Sequence, residues 1–414
     1  MKDQERDRTD ISRTTPAVAL AIVAVSTLLS MSVWFSASFV LPQLTREWHL
    51  GPGSGALLTI AVQLGFVVGA VASAMSGLAD RAPNRLLMCG GALGAAAANL
   101  GVLLATGLWP AVVCRFATGF FLAAVYPPAL KETATWFRAG RGKALGVMIG
   151  ALTVGSALPH AINAAGGLDW HLVIAVTSAT GALGGLLILT LRTPGPYPFP
   201  SRKVTIGGAL RSLRNRDVLL ADLGYVGHMW ELYAMWGTLA ALLAGVPAVA
   251  HFPRSDTLAS AFAFLCIGIG AVGCLVGGVL SDRWGRAVAA RTCLVCSGGA
   301  ALVLALGLDV LPSAVVIAVC TFWGFWVVAD SAQFSALVTE RADPEYMGGA
   351  LSLQLALGYL TTALTLWGVP VLVAHSSWRV ALLVLAVGPV VGVAAMSRSI
   401  VRDRRGRLLI PADV

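Results

Sequence analysis

Apolar runs of membrane-spanning length, separated by short polar segments, occupy almost the whole chain. An α-helix needs roughly 20 apolar residues to cross the hydrocarbon core of a bilayer. Twelve runs approach or exceed that length, and we number them as spans 1 to 12: 17–41, 54–79, 85–107, 109–131, 142–164, 169–191, 217–245, 257–281, 287–308, 311–336, 347–373 and 377–397. Strands in lipid must close into a barrel and would alternate with period two, so the spans are predicted to be helices.

The composition agrees with this pattern. The chain has 414 residues, of which 57% are hydrophobic and only 12% are charged, and its mean hydropathy is +0.79. Soluble domains carry about 25% charged residues. Three glycine pairs have the four-residue spacing that permits close helix–helix approach: Gly65/Gly69, Gly146/Gly150 and Gly273/Gly277. The sequence therefore predicts an all-α membrane protein of twelve transmembrane helices.

The positive charge follows a pattern of membrane orientation, which argues against nucleic-acid binding. The formal net charge is +9, and the chain contains 29 Lys and Arg residues. Nearly all of them fall in the terminal segments and in alternate polar loops, whereas Arg46, Arg254 and Arg379 lie in the loops between. Basic residues accumulate on the cytoplasmic side of membrane proteins. We therefore predict a multi-pass protein of a bacterial cytoplasmic membrane, with both termini in the cytoplasm.

A six-helix unit is repeated in the chain. Polar hairpins follow spans 2 and 8, and their acidic residues, Asp80 and Asp282, are 202 residues apart. Trp34 in span 1 and Trp236 in span 7 have the same separation. The predicted organisation is a cytoplasmic tail (1–16), a six-helix bundle (17–191), a Pro-rich and then basic cytoplasmic linker (192–216) with a short surface helix over 206–213, a second bundle (217–397) and a cytoplasmic tail (398–414).

The hairpins carry a resemblance to a known family. The second hairpin reads GVLSDRWGR from Gly278 to Arg286 and resembles the signature G-x-x-x-D-[RK]-x-G-[RK]-[RK] of the major facilitator superfamily. The first hairpin keeps the acidic and basic pair, but both signature glycines are replaced. Arg115 and Gly119 in span 4 resemble a second signature of that family. The resemblance implies two six-helix bundles, a central cavity and alternating access. Spans 7, 11 and 12 resemble the nitrate, nitrite and cyanate carriers, but spans 2 and 8 lack the Arg that nitrate carriers place there.

We expect the hairpins to gate the cytoplasmic side. Glycines permit tight turns, and a carboxylate is stabilised at the positive N-terminus of a helix. Asp80 is expected near the start of span 11 and Asp282 near the start of span 5. Bases of the hairpins are expected to pair with Glu132 and Glu340. The predicted gate comprises Gly278, Asp282, Arg283, Gly285, Arg286, Asp80, Arg81 and Arg85. The alternative is that the basic hairpins only set membrane orientation.

Ionisable residues inside the spans are the candidates for transport chemistry, because each costs about 2.5–3.5 kcal/mol or more at bilayer depth. Span 7 has the densest set, including His228 and Glu231, which share a helix face. We predict that Glu231 faces the cavity and carries a coupling proton, that His228 modulates it, and that Arg115 binds an anionic group. The alternative for Glu231 is a fixed hydrogen-bonding role between helices. The other predicted cavity residues are Trp34, Ser38, Tyr126, Tyr233, Trp236, Trp323 and Asp330.

No motif for a metal, a cofactor or ATP is recognisable. Cys293-x-x-Cys296 has metal-like spacing but no second pair, so all seven cysteines are interpreted as buried packing residues. Neither a Walker A sequence nor HExxH occurs. Span 5 also lacks the Gly-Pro pair of drug antiporters, since Pro159 comes late.

The sequence thus favours a secondary transporter, and not an enzyme. We predict a monomer that moves a small polar, anionic solute by alternating access in symport with protons. One alternative is a proton-coupled drug or metabolite exporter. Another is a membrane sensor or enzyme without net transport.

Overall fold

The computed structural model describes residues 14–50, 54–76, 81–137, 140–165, 169–197, 206–343 and 347–408. Within these ranges the regular structure is helical and contains no strand. The principal helices of the first half are Pro16–Met31, Ala56–Ser76, Asn84–Leu100, Leu108–Leu122, Tyr126–Trp136, Arg141–Ala164 and Trp170–Leu187. Those of the second half are Arg216–Ala244, Ser255–Gly268, Gly270–Trp284, Arg286–Gly307, Ser313–Val327, Ser331–Arg341, Met347–His375 and Trp378–Leu408. All twelve predicted spans are therefore represented by helices.

Ten of these spans are long and apolar enough to cross a membrane in the described part of the chain. Span 1 is not among the ten because its first helix ends at Met31, and two short helices, Ser36–Phe39 and Leu41–Glu47, follow. Span 7 is 29 residues long, but His228, Glu231 and several aromatic residues lower its hydropathy. His228 and Glu231 are the residues that made span 7 the main candidate for transport chemistry in the sequence.

Spans 4 and 10 are broken at corresponding positions. The helix of span 4 is interrupted between Leu122 and Tyr126, and that of span 10 between Val327 and Ser331. A non-helical backbone inside a membrane protein has free carbonyl and amide groups, so it is tolerated where protein buries it or where it lines a cavity. The two breaks place Tyr126 and Ser331 at the same central cavity.

Glycines allow the helices within each half to touch closely. A Cβ atom on Gly119 would lie 1.9 Å from the carbonyl oxygen of Val62, and one on Gly324 would lie 1.8 Å from that of Cys266. The same tight packing therefore joins spans 2 and 4 in the first half and spans 8 and 10 in the second. Such close contacts between helix backbones are typical of membrane bundles.

Spans 5 and 8 form a long contact between the two halves. At one end, a Cβ atom on Gly146 would lie 2.7 Å from the carbonyl oxygen of Cys274. At the other end, the Asn163 side-chain amide donates a hydrogen bond to Ser260 Oγ over 2.8 Å. Span 2 packs against span 11 on the other side of the molecule. The halves are thus in contact on both sides of the cavity that lies between them.

Span 12 extends beyond its predicted end at residue 397. The helix continues to Leu408, because its charged last turns have partners on the ends of neighbouring spans. Arg402 pairs with Asp217 at 2.6 Å, and Asp403 pairs with Arg341 at 2.7 Å. The linker contains a short helix, Ile206–Ser212, close to the predicted surface helix. We call this side of the molecule, which carries Asp217, Asp282, Arg341 and Asp403, the linker face.

Candidate functional site

The second hairpin lies against the start of span 5 at the linker face. A Cβ atom on Gly142, in the first turn of that helix, would lie 2.8 Å from Asp282 Oδ1. The Asp282 carboxylate therefore lies at the positive end of the helix in the other half. Gly285 has φ 85°, a conformation that side-chain-bearing residues rarely adopt. Arg286 Nε donates to Glu340 Oε1, so the hairpin contacts span 5 and is tied to span 10.

The first hairpin has different contacts. Asp80 lies outside the described residues, so its expected position near span 11 stays a prediction. Glu132 accepts a hydrogen bond from the Asn84 amide at 2.8 Å. The corresponding pair in the second half is Glu340 and Arg286. Arg85 donates to the carbonyl oxygens of Leu191 and Arg192, so it does not pair with Glu132 as we expected. Arg81 and Arg283 are exposed at the surface.

A small cavity lies between the halves and has a mostly aromatic and aliphatic wall. Its lining residues are Tyr126, Ile149, Leu152, Tyr225, Met229, Leu232, Tyr233, Trp236, Val328, Ser331, Ser335 and Tyr359. Tyr126, Tyr233 and Trp236 are therefore placed where the sequence predicted them. The Tyr233 and Tyr359 hydroxyls are 3.1 Å apart. Trp236 is 2% exposed, and its indole N–H has no partner among the described residues.

Trp34 brings the first half into this aromatic cluster. Its ring centroid is 5.8 Å from that of Tyr233 and 5.6 Å from that of Tyr359. Phe66 of span 2 packs on Tyr359 with a centroid separation of 4.4 Å. Aromatic pairs at these separations stabilise a contact beyond their buried area. The broken end of span 1 thus packs against spans 7 and 11. The Ser38 side chain lies outside the part of the chain that the structure describes.

Glu231 points into the second bundle and not into the cavity. It is 1% exposed. Oε2 accepts a hydrogen bond from Ser297 Oγ at 2.8 Å, and Oε1 accepts one from Trp323 Nε1 at 2.7 Å. Our expectation that it faces the cavity is therefore not met, because the cavity residues Tyr225, Met229, Leu232 and Tyr233 occupy another face of the same helix. Trp323 likewise binds Glu231 and does not line the cavity.

His228 is held by two consecutive residues at the break in span 10. Its Nδ1 lies 2.8 Å from Asp330 Oδ1, and its Nε2 lies 2.7 Å from Ser331 Oγ. His228 and Asp330 are each 1% exposed. The structure thus joins two residues that the sequence singled out separately, and it connects them with the cavity wall through Ser331.

Arg115 binds the broken end of span 1 and not the cavity. Its guanidinium donates to the carbonyl oxygens of Val33 and Trp34, to Ser36 Oγ and to Asn99 Oδ1. Val33 and Trp34 lie in the interruption between the helices Pro16–Met31 and Ser36–Phe39, where backbone groups need partners other than those of a regular helix. Arg115 is fully buried. Arg115, which we expected to bind an anionic group, therefore donates its hydrogen bonds to the chain's own backbone and side chains.

Several site residues escaped the sequence analysis. Tyr359, Ser331 and Ser335 line the cavity, Ser297 binds Glu231, and Asn99 binds Arg115. Asn99 had a usable signal, because an amide inside an apolar run needs a partner. Ser297 and Ser335 could not be singled out from the sequence, since serine is common in packed membrane helices.

Comparison with known proteins settles the family. A model described as Major Facilitator Superfamily matches residues 23–366. This chain belongs to the Major Facilitator Superfamily. It is 25% identical over 316 residues to protein spinster homolog 1 of Bos taurus, covering 70% of this chain and 59% of that protein. The Homo sapiens protein of the same name is 27% identical over 248 residues, covering 55% and 46%. The chain thus spans about half the length of the curated relatives it matches.

A solved structure shares the fold. It is the crystal structure of a bacterial homolog to the human lysosomal transporter spinster, in an inward-facing and unoccupied conformation. The TM-score is 0.67 at 16% sequence identity, over 95% of this chain and 99% of that one. At this identity the match supports the fold alone. The prediction of an all-α major facilitator fold is confirmed. The chain is a multi-pass membrane protein of this superfamily.

Proposed function

We propose that this chain is a proton-coupled secondary transporter that moves a small, polar organic solute through the central cavity by alternating access. The observation that carries the proposal is the position of the cavity. Tyr126, Ile149 and Leu152 of the first half face Tyr225, Trp236 and Tyr359 of the second across it. A solute there contacts both halves, and a relative movement of the halves would expose it to one side of the membrane at a time.

The chemistry of the wall suggests the kind of solute. None of the described residues that line the cavity carries a permanent charge, and Arg115 is engaged elsewhere. An anionic solute therefore has no evident counter-charge, and we propose an uncharged solute with an apolar or aromatic part. The buried Trp236 N–H would be satisfied by an acceptor group on that solute. Because the same wall suits drug-like compounds, a proton-coupled drug or metabolite exporter is the second candidate.

Glu231 is the proposed carrier of the coupling proton. A buried, uncompensated carboxylate inside a membrane bundle is costly, so such groups commonly have a function. The described partners of Glu231 are a hydroxyl and an indole N–H, and neither carries a positive charge. The position of Glu231 one helix face away from the cavity means that coupling would be transmitted through span 7, without direct contact with the solute.

Proteoliposomes test the coupling. A thermal-shift screen of uncharged, anionic and cationic small molecules first identifies a bound solute. Glu231→Gln should then keep solute exchange, which needs no net proton movement, but lose accumulation in a pH gradient. One pH unit drives about tenfold accumulation per coupled proton. Asp222→Asn is the matched control, because Asp222 is also a buried carboxyl of span 7 and is hydrogen-bonded to Gln354.

Wild-type accumulation by Glu231→Gln would show that Glu231 has only a structural role. A wild-type protein that binds a solute but never moves it would favour the sensor alternative. Orientation is tested separately by single cysteines at two exposed positions, Arg214 on the linker face and Asp309 in the loop between spans 9 and 10. We expect labelling from the cytoplasm at position 214 and from outside at position 309.

A further inference from the structure

A chain of hydrogen-bonding groups leads from the cavity wall to a buried acid–base pair. Ser331 lines the cavity, and its hydroxyl lies 2.7 Å from His228 Nε2. The other ring nitrogen, Nδ1, lies 2.8 Å from Asp330 Oδ1. The role proposed for Glu231 does not use these groups.

The break in span 10 creates this arrangement. In a continuous helix, consecutive side chains point about 100° apart. The helix Ser313–Val327 ends before Asp330, and the helix Ser331–Arg341 starts just after it. The interrupted backbone therefore lets two neighbouring residues reach opposite sides of one imidazole ring. Ser331 can touch both the ring and the cavity.

The protonation state of His228 determines the direction of the hydrogen bond to Ser331. A neutral imidazole has one donor nitrogen and one acceptor nitrogen, whereas an imidazolium has two donors. The Asp330 carboxylate 2.8 Å from Nδ1 favours a hydrogen on that nitrogen. Neutral His228 then accepts at Nε2, so the Ser331 hydroxyl donates its hydrogen to the ring. After His228 gains a proton, Nε2–H donates to the Ser331 oxygen. The hydroxyl hydrogen is then free to turn toward the cavity.

We propose that Ser331 presents a hydrogen-bond acceptor to the cavity when His228 is neutral and a donor when His228 is protonated. A solute acceptor group would then bind more tightly in the protonated state. Ser331 thus acts as a positioning residue that links proton uptake to solute affinity. The use of this switch in transport rests on the proposed function, whereas the switch itself does not.

Ionisable groups of spans 7, 8 and 9 also lie near the pair. Asp222, Tyr225 and Glu231 lie on span 7 with His228, and Asp330 is on span 10. Cys274 of span 8 and Cys293 of span 9 lie near Asp330. Asp330 alone among them lies within hydrogen-bonding distance of the imidazole in the described part of the chain, so it favours the Nδ1–H tautomer.

Nitrogen-15 NMR of histidine-labelled protein in lipid nanodiscs tests the switch without a solute. The His228 signals are identified by their loss in His228→Gln. At high pH the hydrogen should be on Nδ1, with Nε2 accepting. Ser331→Ala should lower the pH midpoint of His228 protonation by about half a pH unit or more, because the charge-assisted bond to the imidazolium is the stronger of the two bonds that are lost. Ser331→Thr keeps a hydroxyl and should restore the midpoint.

Ser335→Ala is the matched control, because Ser335 lines the same wall one turn away and should leave the midpoint unchanged. A hydrogen on Nε2 in the neutral form, an unchanged midpoint in Ser331→Ala, or an equal shift in Ser335→Ala would each overturn the proposal. If the wild-type protein moves no solute, the proposed function fails while this titration still decides the switch.

Discussion

The two halves share a backbone plan but handle buried charge differently. In the first half, Arg115 is surrounded by neutral acceptors, chiefly the carbonyl oxygens of Val33 and Trp34 and the amide of Asn99. In the second half, Glu231 has two neutral donors, and His228 and Asp330 lie beside each other. The first cluster contains a side chain that stays protonated in proteins. The second contains side chains that can gain or lose a proton.

This difference distinguishes a cluster that supports the structure from groups that can change their protonation state. By the spacing that relates Gly119 to Gly324, the position of Arg115 corresponds to Cys320 in the second half, and by the hairpin spacing Glu231 corresponds to Leu29 in the first. The repeat thus preserves the glycine contacts and the breaks in spans 4 and 10, while each half has its own buried charges. We infer that the Arg115 cluster is structural, and that the groups around His228 are the ones that respond to protons.

The largest expected effect is on the fixed cluster. Arg115→Met should destabilise the protein by about 3 kcal/mol or more, because several buried acceptors lose their donor and each costs about 1–3 kcal/mol. Thermal unfolding of the purified protein measures this loss, and Arg115→Lys should recover part of it. Full stability combined with a loss of solute binding would instead make Arg115 a solute ligand and remove the contrast between the halves.

A smaller effect is expected at the linker face. Asp282→Asn should leave folding largely intact and slow solute transport several-fold, because it weakens a contact with the start of span 5 worth about 0.3–2 kcal/mol. Asp80→Asn should cost less, since the first hairpin lacks both signature glycines. Transport rates in vesicles measure the difference. Wild-type rates in both variants would leave membrane orientation as the only role of the hairpins.

The smallest effect is expected for the ion pair between Arg286 of the second hairpin and Glu340 of span 10. Arg286→Asn replaces the charged donor of Glu340 with a neutral amide, as Asn84 is for Glu132 in the first half. The Glu340 side chain is 51% exposed, and exposed ion pairs contribute about 0–1 kcal/mol. We expect a small decrease in the unfolding temperature that disappears at high salt. A loss above about 2 kcal/mol would mean that this pair holds the bundle together.

Patterns that depend on local composition were predictable. Span positions, the repeat and the hairpin contact at Asp282 followed from runs, spacings and a resemblance. The burial of Glu231 away from the cavity did not, because a helix with polar residues on several faces does not reveal which face meets the other half. Arg115 was misassigned for a related reason. Its acceptors are carbonyl groups that only the break in span 1 exposes.

The amino-acid sequence alone was enough to establish the membrane class, the twelve helices and the twofold repeat, because the bilayer requires long apolar helices and repeated segments keep their spacing. Only the tertiary structure showed which polar groups meet. The interruptions at 32–35 and 328–330 bring backbone carbonyls to Arg115 and two adjacent side chains to His228. Such meetings depend on where distant helices cross, and that is set by the packing of the whole bundle.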